Sequence, residues 1–125
     1  MDQPLINQTR LILLCALCWA FAIAGCVSTF EREAMELRAK MTYEENPADL
    51  KQREPLSAEK NWRGDCSNYA ASFNHIEGVR IWTGKLKDGR SHAMACLNVR
   101  CADTVYPTPF DFNPDDWFQL WSLNP

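Results

Sequence analysis

Apolar residues recur at Phe30, Ala34, Leu37 and Met41, at spacings of four, three and four, and predict an amphipathic helix over residues 28–45. Ser28 and Glu31 match a capping box, and Asn46-Pro47 ends the pattern. Residues 49–60 are polar, contain Pro55 and show no period, which reads as a loop or a short broken helix. A second helix is predicted over residues 66–77, with Asp65 as N-cap and Gly78 as its stop. Its apolar face carries Cys66, Tyr69, Ala70 and Phe73 at i, i+3, i+4 and i+7. The pattern then shifts to strands at 79–86, 91–97 and 102–106. Asp88-Gly89 is a hairpin signal; Asn98-Val99 is a poorer turn, because valine resists positive φ. Pro107 and Pro109 end the sheet, and Asn113-Pro114-Asp115-Asp116 opens a last short helix bearing Trp117, Leu120 and Trp121. Two helices followed by a three-stranded antiparallel meander make an α+β fold, with the N-terminal helices packed on the sheet.

The 125 residues allow one compact domain, and at 46% hydrophobic and 23% charged the chain is globular in composition. A net charge of −3 argues against nucleic acid as a partner. Two histidines, and no C-x-x-C pair outside the N-terminal segment, leave little for a metal, and no cofactor motif is present. Residues 1–25 read as a secretory signal: Arg10, then 15 uncharged residues, against roughly 20 needed to span a bilayer. The organisation expected is signal (1–25), N-terminal helix and linker (26–60) and a core with an aromatic tail (61–125). The exported part keeps Cys66, Cys96 and Cys101 besides Cys26. Cys96 and Cys101 can face each other across a tight turn as a disulfide, or remain two buried thiols; Cys66 is the leftover sulfur.

A cysteine nucleophile needs a base and a group that orients the base. Cys66 stands at a predicted helix start, where backbone amides and the dipole favour thiolate and could form an oxyanion hole. His75, nine residues on, is about half a turn away on the same helix and points elsewhere. His92 opens the central strand. With Asn98 and Val99 as the turn, Cys96 faces Cys101, Met94 faces Asp103, and His92 and Asp103 become diagonal neighbours on one face, about 7–8 Å apart at Cα. A one-residue slip would separate them. The blander alternatives are a small core cysteine, a hydrogen-bonded strand histidine and a turn acid; Trp62 and the C-terminal tryptophans read as core.

Ile23-Ala24-Gly25-Cys26 resembles the bacterial lipoprotein box. That resemblance implies a lipid on Cys26 and, with Val27 following, an anchor in the outer membrane facing the periplasm. Gly64-Asp65-Cys66-Ser67-Asn68-Tyr69-Ala70, Ser91-His92-Ala93 and Asp103-Thr104 resemble, in that order, the three motifs of the transglutaminase-like superfamily. Bacterial transglutaminase-like cysteine proteinases are the nearest type. The resemblance covers about residues 62–108, with shorter gaps between motifs than is usual there. It implies a papain-like core in which Cys66 is nucleophile, His92 base and Asp103 orienter, with Asn61, Trp62 and Gln52 as candidate oxyanion donors. The expected activity is thiol-dependent hydrolysis of a peptide, protein or peptidoglycan amide. Asp-Cys-Ser also resembles the opening of murein endopeptidases of the papain-like clan. An inactive envelope lipoprotein that binds a partner is the rival class.

Overall fold

The computed structural model describes residues 27–123; the segment expected to be a signal, with Cys15 and Cys18, and Cys26, the expected lipidation position, lie outside them. Helix α1 (Thr29–Lys40) is capped by Ser28, whose Oγ accepts from the Glu31 amide at 3.1 Å. The Glu31 side chain does not close the expected capping box. It turns to Arg100 Nε at 2.7 Å and ties α1 to the sheet. The predicted stripe is the buried face: Phe30, Ala34 and Met41 are in the core and Leu37 packs against it. The helix ends five residues earlier than its pattern. Met41 turns extended, and β1 (Thr42–Tyr43) pairs in parallel with β2 (Arg63–Gly64). A β-branched and an aromatic residue here take sheet pairing over helix continuation.

Helix α2 (Cys66–Ala71) is six residues long rather than the twelve expected. After Ala71 the amides of Phe73, Asn74 and Ile76 bond three residues back, so the chain runs on as tight turns. Gly78, at φ +85°, ends those turns rather than the helix. Tyr69, Ala70 and Phe73 are nonetheless buried as the periodicity predicts. Tyr69 Oη donates to the Ala34 carbonyl at 3.0 Å, joining the two helices.

Strands β3 (Val79–Leu86) and β4 (Ser91–Leu97) form the expected hairpin, with Gly89 at φ +89°. Strand β5 (Arg100–Ala102) pairs with β4 so that Cys96 opposes Cys101, the register read from the sequence, and the two sulfurs are bonded. The turn works because Asn98 takes the positive φ (55°) and Val99 does not. The third strand differs from expectation: it starts at Arg100 and stops before Asp103.

The sheet has five strands, not three. Pro107 and Pro109 do not end it, since β6 (Phe110–Asp111) returns to pair with β5. The predicted C-terminal helix is a single 3-10 turn (Pro114–Asp116), capped by Asn113, followed by β7 (Trp117–Ser122) on the outer side of β3. Leu86 pairs with Trp117 and Lys85 with Gln119, so Phe118 is a bulge. The extra residue resets the alternation, and Trp117 and Leu120 reach one face. Their i, i+3 spacing, which reads as helical, is a bulged strand. The order is β6-β5-β4-β3-β7, with antiparallel neighbours throughout. Among the described residues no helix is long and apolar enough to cross a membrane.

Candidate active site

Along β4, Ala93 and Ala95 face α1 and α2, while Met94 and Cys96 face an aromatic layer of Trp82, Phe110, Phe112 and Trp117. His92 shares the alternation of Met94 and Cys96 but stands at the strand's open end. There the two faces meet. Its imidazole is 6% exposed. Nε2 donates to Asp103 Oδ2 at 2.8 Å, the ring stacks on Trp117 with centroids 5.8 Å apart, and Cys66 lines the same cleft as the imidazole. With Nε2 committed to the carboxylate, Nδ1 is the nitrogen left for a partner in that cleft.

Asp103 is a turn acid that also bonds the imidazole. Its Oδ1 accepts from the amides of Val105 at 3.0 Å and Tyr106 at 2.9 Å, which fixes the carboxylate and leaves Oδ2 for His92. Arg38 Nη2 donates to the Thr104 carbonyl at 3.1 Å and anchors this turn to α1. Burial disfavours the imidazolium, but the hydrogen bonds to Asp103 and Cys66 and their negative charge outweigh it, and His92 is pushed up to about 9.

Cys66 is the free cysteine among the described residues and is partly exposed. It lines a cleft of about 300 Å³ with Tyr43, Asn46, Gln52, Ser91 and His92. A second cleft, of about 650 Å³, shares Tyr43, Ser91 and His92 and runs on to Thr104 and Val105. Burial, and then the charges at Cys66, Glu45 and Asp65, hold the Tyr43 hydroxyl above its ordinary value, so it stays a neutral donor at the mouth.

Two expectations about the surroundings of Cys66 need correction. The amides of Ser67 (2.9 Å) and Asn68 (3.2 Å) are not available to an oxyanion, because Asp65 Oδ1 accepts from both. A good N-cap necessarily occupies the donors that an oxyanion hole at that helix end would use. The Cys66 amide is not engaged by that carboxylate. Of the three candidate donors, Gln52 alone lines the cleft. Asn61 closes a 3-10 turn (Ala58–Lys60) in left-handed conformation. Trp62 packs against the helical core with Lys40 Nζ 5.7 Å above its ring. His75 is exposed and hydrogen-bonded to Glu33 at 3.0 Å, far in role from the site. Trp117 is the site residue that the sequence pattern assigns only to core; the bulge that brings it to His92 has no local signature.

Among the described residues no cluster of His, Cys, Asp and Glu is arranged to hold a metal ion. Comparisons of the chain with protein-family models, with curated proteins and with solved structures give no match.

Proposed function

We propose that this chain is a thiol hydrolase with a papain-like, transglutaminase-like core, acting on a peptide or isopeptide carbonyl by acyl transfer. The observation that carries the reading is the buried His92–Asp103 hydrogen bond at the edge of the cleft that Cys66 lines together with His92. Below about pH 9 His92 already holds the proton, so sulfur attacks the carbonyl carbon beside an imidazolium that stabilises its negative charge. The oxyanion turns toward the Cys66 amide and the Gln52 carboxamide. His92 then protonates the leaving amine as the tetrahedral intermediate collapses to a thioester on Cys66. Water, giving its proton to His92, releases the acid. Asp103 holds the imidazole in its productive orientation. The lipoprotein-like Cys26 would hold the enzyme on the envelope membrane, where proteins or peptidoglycan supply such bonds.

Hydrolysis of p-nitrophenyl acetate tests this at the level of bond chemistry. The expected result is a burst of one acyl group per chain, abolished in Cys66→Ala, with turnover about 100-fold slower in Asp103→Ala. His92→Ala slows iodoacetamide alkylation of Cys66 at pH 7 by at least about tenfold. Unchanged ester hydrolysis in Cys66→Ala would sink the reading.

A further inference from the structure

The loop that carries Gln52 has no regular structure across residues 46–56, yet it is fastened to α2 at several points. Asn68, 1% exposed, makes three hydrogen bonds with one side chain. Its Oδ1 accepts from the Asp65 amide at 3.0 Å; its Nδ2 donates to the carbonyls of Lys51 at 3.1 Å and Glu54 at 2.9 Å. Gln52 lies between those two carbonyls in the chain. Ser67 adds a further tie. Its Oγ accepts from the Arg53 amide at 3.3 Å and donates to Asp65 Oδ1 at 2.7 Å. Arg53 is held at φ 65°, a conformation that a non-glycine residue keeps only when its surroundings impose it. A Cβ on Gly64 would come within 2.8 Å of Asn68 Cβ, so the glycine before Asp65 leaves the room the Asn68 side chain occupies.

We propose that Asn68 is a positioning residue for acyl transfer: it sets the Gln52 loop against the nucleophile's helix, so that the two oxyanion donors stand in fixed register with the sulfur. The inference rests on Cys66 being the nucleophile. Capping α2 requires only an acceptor at position 68, and aspartate would supply it. The carboxamide is needed for its two donated bonds, and both go to the segment that bears Gln52. Two residues that follow the cysteine therefore hold the far wall of its cleft.

The test compares two reactions of the same thiol. Ester hydrolysis passes through an oxyanion, whereas alkylation by iodoacetamide displaces iodide at a saturated carbon and forms none. Asn68→Asp keeps the acceptor and removes the donors. It is expected to lower kcat on p-nitrophenyl acetate about 100-fold, with KM and the alkylation rate of Cys66 within about threefold of the parent. In a Gln52→Ala background the same substitution costs nothing further. Ser67→Ala, which adds no charge and removes one tie, gives the same pattern at about three- to tenfold and serves if Asn68→Asp does not fold. Equal loss of alkylation and hydrolysis, or effects of Asn68→Asp and Gln52→Ala that multiply, would overturn the proposal. Ester hydrolysis that survives Cys66→Ala would instead remove the reading on which it stands.

Discussion

The two faces of the sheet are built on opposite principles. The helical face is lined by small side chains, Ala93, Ala95 and Ala102, which let α1 and α2 press Phe30, Tyr69 and Phe73 onto the strands. Those three rings are essentially fully buried and meet edge to face, with centroids 5.5 Å apart for Phe30–Phe73 and 5.0 Å for Tyr69–Phe73. Among the described residues no α-helix packs on the opposite face. It is covered by the chain folding back on itself: the Cys96–Cys101 disulfide and Met94 lie beneath partly exposed Trp82, Phe112 and Trp117. The helical face is where the fold's stability concentrates. The aromatic face is thinner, and one of its rings is committed to the imidazole. His92 sits where the faces meet, taking the thiol from one and Trp117 from the other.

The sharpest way to break this contrast is to open the helical face. Phe73→Ala removes a ring that touches both helices and is expected to cost about 3–5 kcal/mol in urea unfolding. Cys66 alkylation in the fraction that remains folded should be unchanged. A cost below ~1 kcal/mol would mean that the dense face is not where stability resides.

The legibility of the two faces differs in the same way. The helical face follows from local periodicity: one stripe from Phe30 to Met41, another from Cys66 to Phe73. Strands β3 and β4 and the Cys96–Cys101 register follow from alternation and one turn, and that arithmetic also brings His92 to Asp103. Chain ends of elements are less readable. The Thr42-Tyr43 pair could continue a helix or join a strand, and only the distant Arg63-Gly64 partner decides it. The aromatic face is the least legible. Strand β6 is two residues between proline-rich linkers, and β7 carries a bulge whose spacing imitates a helix. Its close approach is permitted at Gly84, where a Cβ would collide with the Gln119 carbonyl. Gln52 is one of three candidate donors in the sequence with nothing to single it out, since its loop has no period and its place is set by side chains of α2.

At the meeting line, pH is the probe. His92 carries a proton in the folded state up to about 9, because its bonds to Asp103 and Cys66 outweigh the burial that opposes the charge; its unfolded value is near 6.5. A group whose folded value is raised contributes stability that is complete below the unfolded value and lost as pH rises through the folded one. Unfolding free energy should therefore fall by ~2–3 kcal/mol between pH 6.5 and pH 9.5. His92→Gln should flatten that slope. Stability that holds level across this window, or an equal decline in His92→Gln, would show that the imidazole is not the group responsible.

The smallest effect expected is on the aromatic face, at Trp117. The indole is half-buried and stacks on His92, and Asp103 lines the cleft on the same side. Its removal frees the ring's orientation and relieves the burial that opposes the imidazolium, so the alkaline limit of ester hydrolysis moves to higher pH. Trp117→Ala should slow turnover about tenfold, equivalent to ~1.4 kcal/mol of barrier, with the urea midpoint nearly unmoved because the ring is not part of the dense core. Trp117→Phe keeps a ring over the imidazole and should recover most of the rate. If Trp117→Ala instead unfolds the chain as readily as Phe73→Ala, the two faces share the load and the contrast fails. If it leaves both rate and pH limit untouched, the aromatic face is a cover for the disulfide alone, and the imidazole owes its state to Asp103 and Cys66 without it.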